Sequence, residues 1–182
     1  MSTPQKVRMH GASNQFLIIF GDDSIEKNLN NLQGADGFLL VQEDKHADAF
    51  MRVFNADGCE AEQCGNGLRC VALHLVRNKM VDGAELTIRT LAGINHCVVS
   101  EEFNEVSVTL CKSKIKGNYV PDFPELIFVD MGNPNAVYWT DRDPLEVREE
   151  FGELISTHKS FPNGMNVHFA RRDAAQYATC AS

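Results

Sequence analysis

The sequence predicts a fold of mixed secondary structure, in which short strands predominate and two amphipathic helices interrupt them. Apolar, β-rich runs recur at short intervals, whereas two stretches place apolar residues at the three- and four-residue spacing of a helix. The chain has 182 residues, of which 43% are hydrophobic and 23% are charged. A chain of this size can bury a core without a metal or a disulfide, as one domain or as two small ones.

Strands are expected on both sides of the first helix. The predicted strands before it are 15–20, 38–41 and 50–54, and those after it are 85–90, 94–99 and 105–110. The helix itself is expected at about 65–80, where apolar residues recur at helical spacing. These residues are Leu68, Val71, Ala72, Leu75 and Val76.

The second half of the chain repeats the mixture of strands and a helix. The segment 112–124, which contains glycine, proline and several charges, is expected to connect two domains. Strands are predicted at 126–130, 136–139 and 166–170. Before the last strand, Asp143 is the expected N-cap of a helix, with Pro144 at N1 and Glu146 at N3. The residues expected on the buried face of this helix are Val147, Phe151, Leu154 and Ile155.

Two short motifs in the two halves resemble each other. Residues 9–14 (MHGASN) and 131–135 (MGNPN) each place glycine and asparagine in a turn before an apolar strand. The pair suggests an internal repeat, with a chance similarity of short motifs as the alternative.

Composition also excludes some classes of function. The formal net charge of −8 argues against nucleic acid as a partner, because phosphate binding requires clustered lysine and arginine. The longest apolar run, 16–20, is far shorter than the roughly 20 residues of a membrane span. The first residues lead into no apolar signal core. We therefore expect a soluble, cytoplasmic protein that binds neither nucleic acid nor membrane.

Cys64 is the most informative of the six cysteines. It precedes a glycine-rich helix start, Gly65-Asn66-Gly67, whose free N–H groups favour both a carboxylate ligand and a thiolate. We expect the pKa of the Cys64 thiol to be lowered there, and the amides of Gly65 and Asn66 to hold an acid group beside it. The alternative is a buried structural cysteine in a glycine-rich loop.

The other candidate sites are weaker. Cys70 lies within the predicted helix, where a small core residue is expected. Cys59, Cys64, Cys70 and His74 could be counted as zinc ligands, but they lack the tight cysteine pairing of structural zinc sites. His168 alternates with apolar residues, as on the solvent side of a strand. Neither glycine-rich nucleotide-binding motif is present.

Several of these motifs, taken in order, resemble the diaminopimelate epimerase family. The matching pieces are 9–16 (MHGASNQF), 34–37 (GADG), 52–58 (RVFNADG), 63–70 (QCGNGLRC), 131–134 (MGNP) and 166–167 (NV). Together they extend over nearly all of the chain. The block from Asn-Ala-Asp-Gly to Cys-Gly-Asn-Gly is the most specific of them.

The resemblance implies a fold and a reaction. The fold is α+β, with two pseudosymmetric lobes that each wrap a curved, mostly antiparallel sheet around a central helix. The reaction is the interconversion of LL- and meso-diaminopimelate by two cysteines, without cofactor or metal, for lysine and peptidoglycan precursor synthesis. Cys64 matches the first catalytic cysteine. The residues that match the substrate-binding set are Asn14, Asn55, Gly65, Asn66, Asn133 and Asn166.

The sequence also departs from the family pattern. Gln15 stands where the family usually has aspartate, and Asn135 where it usually has histidine. The sequence has no Glu-Arg-Gly segment and no second Cys-Gly-Thr/Ser-Gly helix start, and Cys180 lacks the flanking glycines. If the two glycine–asparagine motifs are a repeat, the counterpart of Cys64 falls beyond Ser182.

These departures give the expected organisation. Residues 1–114 form a first lobe with the catalytic cysteine, and 115–182 form a partial second lobe of a C-terminally shortened chain that is inactive alone. An incomplete second lobe leaves apolar residues such as Phe151, Leu154 and Ile155 under-covered, which predicts oligomerisation, with a homodimer as the candidate assembly, or poor solubility. The alternatives are a related amino-acid racemase of the same fold and a non-catalytic amino-acid-binding remnant.

Overall fold

The computed structural model describes residues 5–21, 24–100, 102, 105–110, 114–115, 120–131, 134–162, 164–172 and 178–181. The chain separates into two compact units, Met1–Cys111 and Lys112–Ser182. The assignment of 1–114 and 115–182 to a first lobe and a partial second lobe stays a prediction. No described helix is long and apolar enough to cross a membrane.

The first unit is a sheet with one helix on each face. Its elements are β1 (Gln5–Gly11), β2 (Asn14–Phe20), α1 (Ile25–Leu29), β3 (Gly37–Gln42), β4 (Ala49–Asn55), β5 (Glu60–Ala61), α2 (Gly65–Arg77), β6 (Glu85–Thr90), β7 (Gly93–Val99) and β8 (Val106–Thr109). The strands lie in the order β1-β2-β3-β4-β6-β7-β8, with β5 paired to β4. Most neighbours are antiparallel, whereas β2–β3 and β4–β6 are parallel.

The alternation of side chains along β2 and β3 divides the core of this unit into two layers. Ile18 and Leu39 belong to the layer that includes the apolar face of α2. Ile19 and Phe38 point to the opposite layer, against which α1 packs. Because successive strand residues point to opposite faces, continuous apolar runs are buried on both sides here. The sheet therefore holds α2, and with it Cys64, on a rigid support.

The second unit is a smaller sheet with one long helix. Its elements are β9 (Lys114–Ile115), β10 (Leu126–Asp130), β11 (Pro134–Trp139), α3 (Pro144–Ser156), β12 (Asn166–Arg172) and β13 (Ala178–Ala181). The strand order is β13-β12-β11-β10-β9. Asp143 caps α3 by accepting a hydrogen bond from the Leu145 N–H at 2.8 Å, as the sequence predicts.

The buried face of α3 differs in one residue from the prediction. Val147 and Ile155 are fully buried in the core of the unit, and Phe151 packs against it. Leu154, by contrast, is 56% exposed, so its predicted burial is wrong. It lies beside Ile155 in sequence, about 100° around the helix, and this rotation carries it off the narrow buried stripe.

Both units pair their strands by the same scheme. In the first unit β1–β2 is antiparallel, β2–β3 parallel and β3–β4 antiparallel. In the second, β10–β11 is antiparallel, β11–β12 parallel and β12–β13 antiparallel. In each unit a helix, α1 or α3, lies between the two parallel strands in sequence. The two glycine–asparagine motifs fall at the same junction, between the first two strands of each scheme, which agrees with an internal repeat.

Candidate functional site

Cys64 is the N-cap residue of α2. Its backbone is extended, with φ −145° and ψ 107°, while its carbonyl accepts the first helical hydrogen bond from the Leu68 N–H at 2.9 Å. The Gly67 N–H donates to the Cys64 Sγ at 3.3 Å. The thiol therefore occupies the position of a capping side chain, at the end of the helix where backbone N–H groups lack helical partners.

Burial determines the ionisation of this thiol. It raises the pKa of Cys64 above its ordinary value, because the thiolate loses hydration. Hydrogen bonds from the Gly67 and Asn66 amides and the charge of Arg69 lower the pKa, but by less. The expectation of a lowered pKa is wrong, since the helix start supplies the predicted donors and desolvation outweighs them. The thiol is mainly protonated at neutral pH.

A chain of side-chain hydrogen bonds runs beside Cys64. The Arg69 guanidinium donates to the Oδ1 of Asn66, three residues earlier on α2. The Nδ2 of Asn66 donates to the Oδ1 of Asn14 at 2.7 Å. Two predicted substrate-binding asparagines, 52 residues apart in sequence, are thereby joined. Arg69 is a member of this group that sequence reasoning missed, although its position three residues after Asn66 on a helix was a usable indication.

Two glycines allow the backbones around the thiol to approach closely. A Cβ on Gly11 would lie 3.0 Å from the Asn66 carbonyl oxygen and 3.2 Å from the Cys70 Sγ. A Cβ on Gly67 would lie 3.0 Å from the Leu39 Cδ1. Gly65 is different, because a Cβ there would make ordinary contact with Leu110, at 3.7 Å. A side chain at position 11 or 67 would therefore be tightly packed, and its neighbours would have to shift by a few tenths of an ångström.

Asn55 lies at the end of β4 and opens a tight turn. Its carbonyl accepts from the Gly58 N–H at 3.0 Å, and its own N–H donates to the Cys59 carbonyl at 2.9 Å. The Asn55 side chain is exposed. Within the residues that the structure describes, no hydrogen bond joins this side chain to Asn14 or Asn66.

Asp36 connects the two asparagine-bearing turns through the backbone. Its carboxylate accepts from the Gln15 N–H at 2.7 Å, and its own N–H donates to the Gln15 carbonyl at 2.9 Å. Its carbonyl accepts from the Ala56 N–H at 3.1 Å. One residue thus fixes the neighbours of both Asn14 and Asn55. Sequence reasoning matched Asp36 only as part of a family motif and gave it no role.

The second unit carries a separate group of polar side chains. Asn166 and Asn135 are paired residues of the parallel strands β12 and β11, and the Asn166 Nδ2 donates to the Pro134 carbonyl at 3.2 Å. The His168 Nε2 lies 3.0 Å from the Asn135 Oδ1. His168 is half-buried rather than simply facing solvent. Asn133 and the side chain of Cys180 lie outside the described residues.

Two other described cysteines lie in the core of the first unit. Cys70 and Cys97 are buried, and burial raises the pKa of each to about 11, with the neighbouring Cys64 a further cause for Cys70. Cys70 is a core residue, as expected. Among the described residues, no three histidine, cysteine or acidic side chains come together as metal ligands. Cys59, Cys64, Cys70 and His74 are therefore not gathered into one group.

A cavity of about 500 Å³ adjoins the β1–β2 hairpin that carries Asn14. Its lining residues are Arg8, Met9, His10, Ser13, Gln15 and Phe16. Cys64 is not among them. The cavity therefore does not by itself identify the active site. We assign the candidate site from the hydrogen bonds of Cys64 and its neighbours.

Comparison with known proteins identifies the family. The sequence model of the diaminopimelate epimerase family matches residues 8–115. Diaminopimelate epimerase from Carboxydothermus hydrogenoformans is 34% identical, over 90% of this chain and 70% of the relative. The chain belongs to the diaminopimelate epimerase family. The enzyme from Bacillus mycoides is 32% identical to this family member, over 93% of the chain and 70% of the relative.

Solved structures show the diaminopimelate epimerase-like fold. A phenazine biosynthesis protein of the PhzF family from Bacillus anthracis superposes with a TM-score of 0.65 at 20% identity. That match covers 98% of this chain and 71% of the other. A probable proline racemase from Agrobacterium radiobacter K84 superposes with a TM-score of 0.71 at 18% identity, over 98% and 69% of the two chains. The predicted α+β fold class is confirmed, and family membership places the chain among the isomerases.

Proposed function

We propose that this chain catalyses cofactor-independent proton transfer at the α-carbon of diaminopimelate, with Cys64 as one of the two acid–base groups. The observation that carries the proposal is the position of Cys64 as N-cap of α2, with the Gly67 N–H on its sulfur. The Asn14–Asn66 pair lies at the same end of the helix. The family model and a relative named diaminopimelate epimerase, which is 34% identical over 90% of this chain, support the choice of substrate.

The chemistry requires a base on one face of the α-carbon and an acid on the other. The Cys64 thiolate takes the α-proton and becomes a thiol, while the electron pair of the C–H bond moves onto the α-carbon and into the adjacent carboxylate. N–H groups at the start of α2 are suited to receive that developing negative charge. Because its pKa is raised, only a minor fraction of Cys64 is thiolate near neutral pH, and that fraction is the base in this step.

The proposed substrate-binding residues act through side-chain or main-chain amide groups. Asn14, Asn55, Asn133 and Asn166 supply side-chain donors and acceptors, and Gly65 and Asn66 supply main-chain N–H groups. A side-chain amide can donate to a carboxylate and accept from an ammonium. It can therefore bind both charged groups of an amino acid without adding a charge to the site. The reaction would serve lysine and peptidoglycan precursor synthesis in the cytoplasm, and a homodimer stays the proposed assembly.

Exchange of the substrate α-proton with deuterium tests the assignment. LL-diaminopimelate is incubated with the protein in deuterium oxide, and incorporation is followed by mass spectrometry. We expect Cys64→Ala to reduce incorporation by about 100-fold or more, the usual contribution of a positioned acid–base group. Cys59→Ala is the matched control, because Cys59 is an exposed thiol directly before β5.

Two measurements on the same samples separate the outcomes. Chiral chromatography measures meso-diaminopimelate, which requires a second proton carrier, whereas deuterium incorporation requires only one. Incorporation that survives Cys64→Ala would exclude Cys64 as the base. Binding of diaminopimelate without any exchange would instead support the non-catalytic alternative.

A related racemase activity is the second candidate, because a probable proline racemase shares the fold. The same exchange assay with L-proline as substrate discriminates the two. Incorporation into proline and none into diaminopimelate would favour the racemase.

A further inference from the structure

We propose that Arg69 is a positioning residue for proton transfer at Cys64. Its guanidinium orients the Asn66 amide, and through Asn66 it orients Asn14 beside the thiol. This inference rests on the proposed function, in which Cys64 is the base and the two asparagines bind substrate. It adds a cationic residue to a site whose other assigned groups are a thiol, amides and backbone N–H groups.

The hydrogen-bonding groups of arginine determine the orientation of the Asn66 side-chain amide. A guanidinium has five N–H donors and no acceptor, so the Asn66 atom that faces Arg69 must be the carbonyl Oδ1. The Nδ2 of Asn66 is then directed to the Oδ1 of Asn14, 2.7 Å away. The Nδ2 of Asn14 is consequently turned away from Asn66. One arginine thus sets the donor and acceptor directions of both amides.

The chain of hydrogen bonds connects two elements that are distant in sequence. Asn14 begins β2 after a two-residue turn in which Ala12 and Ser13 have φ of 47° and 70°. Asn66 lies in the first turn of α2. The backbones meet closely at Gly11, where a Cβ would be 3.0 Å from the Asn66 carbonyl oxygen. Arg69 therefore orients side chains across a contact whose backbone spacing is already fixed.

The charge of Arg69 acts on the thiol itself. It favours the thiolate and so lowers the pKa of Cys64, in opposition to the dominant effect of burial. The first turn of α2 contains no acidic residue to neutralise this charge. Burial and, to a smaller extent, the charge of the Cys64 thiolate raise the pKa of the neighbouring Cys70 thiol to about 11. Cys70 is therefore neutral at pH 8.

A purely structural role is the alternative to be excluded. Side chains three residues apart on a helix commonly contact each other, and such a pair stabilises the helix by only a few tenths of a kcal/mol. A structural pair would affect unfolding and leave the KM for diaminopimelate of the folded variants unchanged. A positioning residue would change both the titration and the use of substrate.

The test measures alkylation of Cys64 by iodoacetamide as a function of pH, read at Cys64 by tandem mass spectrometry. It compares the wild type with Arg69→Met, Arg69→Gln and Arg69→Lys. Arg77→Met is the control, because Arg77 lies on the same helix but in its last turn. The deuterium-exchange assay gives KM and kcat for the same proteins, and thermal melting shows which of them are folded.

We expect Arg69→Met and Arg69→Gln to slow alkylation at pH 8 about threefold, by raising the apparent pKa of Cys64 about half a unit. Arg69→Lys retains the charge and should restore most of the alkylation rate. It should still raise KM for diaminopimelate, because an ammonium lacks the planar array of donors that holds the amide. Arg77→Met should match the wild type in both assays.

Some results would overturn the role of Arg69, and others would contradict the proposed function. An unchanged alkylation profile in folded Arg69→Met and Arg69→Gln proteins would overturn the proposal, as would an equal shift in Arg77→Met. Loss of exchange in the wild type would contradict the proposed function, while the alkylation profiles would still decide the role of Arg69. If Arg69→Met fails to fold, the comparison of Arg69→Gln with Arg69→Lys decides in its place.

Discussion

At Cys64 two physical effects of opposite sign act on one sulfur atom. Burial destabilises the thiolate, whereas the amides of the helix start and the charge of Arg69 stabilise it. The sequence shows the residues that carry the stabilising groups, because Asn66, Gly67 and Arg69 follow the cysteine. It does not show how far the surrounding sheet removes water from the sulfur. The direction of the pKa shift could therefore be obtained only from the fold.

This balance predicts how the reactivity of Cys64 depends on pH. Since its pKa is raised above the ordinary cysteine value, the thiolate fraction at any pH near 8 is smaller than that of a free thiol. We expect the alkylation rate of Cys64 to keep rising above pH 9, after the rate for a cysteine peptide has begun to level off. Pseudo-first-order rates between pH 6 and 10, resolved at Cys64 by mass spectrometry, provide the measurement. A midpoint below that of the peptide would show that the helix start outweighs burial.

At the scale of the elements, the sequence predicts the strands and helices whose apolar residues form clear runs or a regular spacing. It does not predict a largely polar edge strand or a contact between distant elements. β-Rich apolar runs predicted β6 and β10, and helical spacing predicted most of α2, which ends at Arg77 rather than near residue 80. The edge strand β1 was missed because its residues are largely polar and exposed. The contact between Asn14 and Asn66 could not be inferred from spacing, since it depends on how β1 and α2 pack. The resemblance to the family supplied both asparagines but not their mutual orientation.

Because α2 packs on β3, replacing two glycines of this helix by alanine should have different effects on the free energy of unfolding. We expect Gly67→Ala to lower the free energy of unfolding by about 1 kcal/mol, because overpacking against the buried Leu39 exceeds the gain in helix propensity. Gly65→Ala is the matched control, since its Cβ would meet Leu110 at an ordinary 3.7 Å. It should leave stability unchanged or raise it slightly. Urea unfolding of the three proteins provides the comparison, and equal destabilisation by both changes would contradict the packing argument.

At the scale of the whole molecule, the chain contains two units with separate hydrophobic cores. The apolar layers on the two faces of the first sheet draw all of their residues from the first unit. The core under α3 draws all of its residues from the second. The same order of strand pairings occurs in both units. The units differ in which helix packs against the larger core. In the first unit the larger core lies against α2, whereas in the second it lies against α3, which occupies the sequence position of the short α1.

Separate cores predict that local destabilisation stays within one unit. Asp143→Ala removes the side-chain cap of α3, a loss of about 1 kcal/mol that should accelerate amide exchange in α3 about fivefold. Amides of α2 should exchange at the wild-type rate, because neither their helix nor their core contains an altered residue. Asp141→Ala is the control, since it removes an exposed aspartate of the same loop and leaves the cap intact. Hydrogen–deuterium exchange measured on peptides from the two helices gives the comparison. Equal acceleration in α2 would show that the two units open as one cooperative structure.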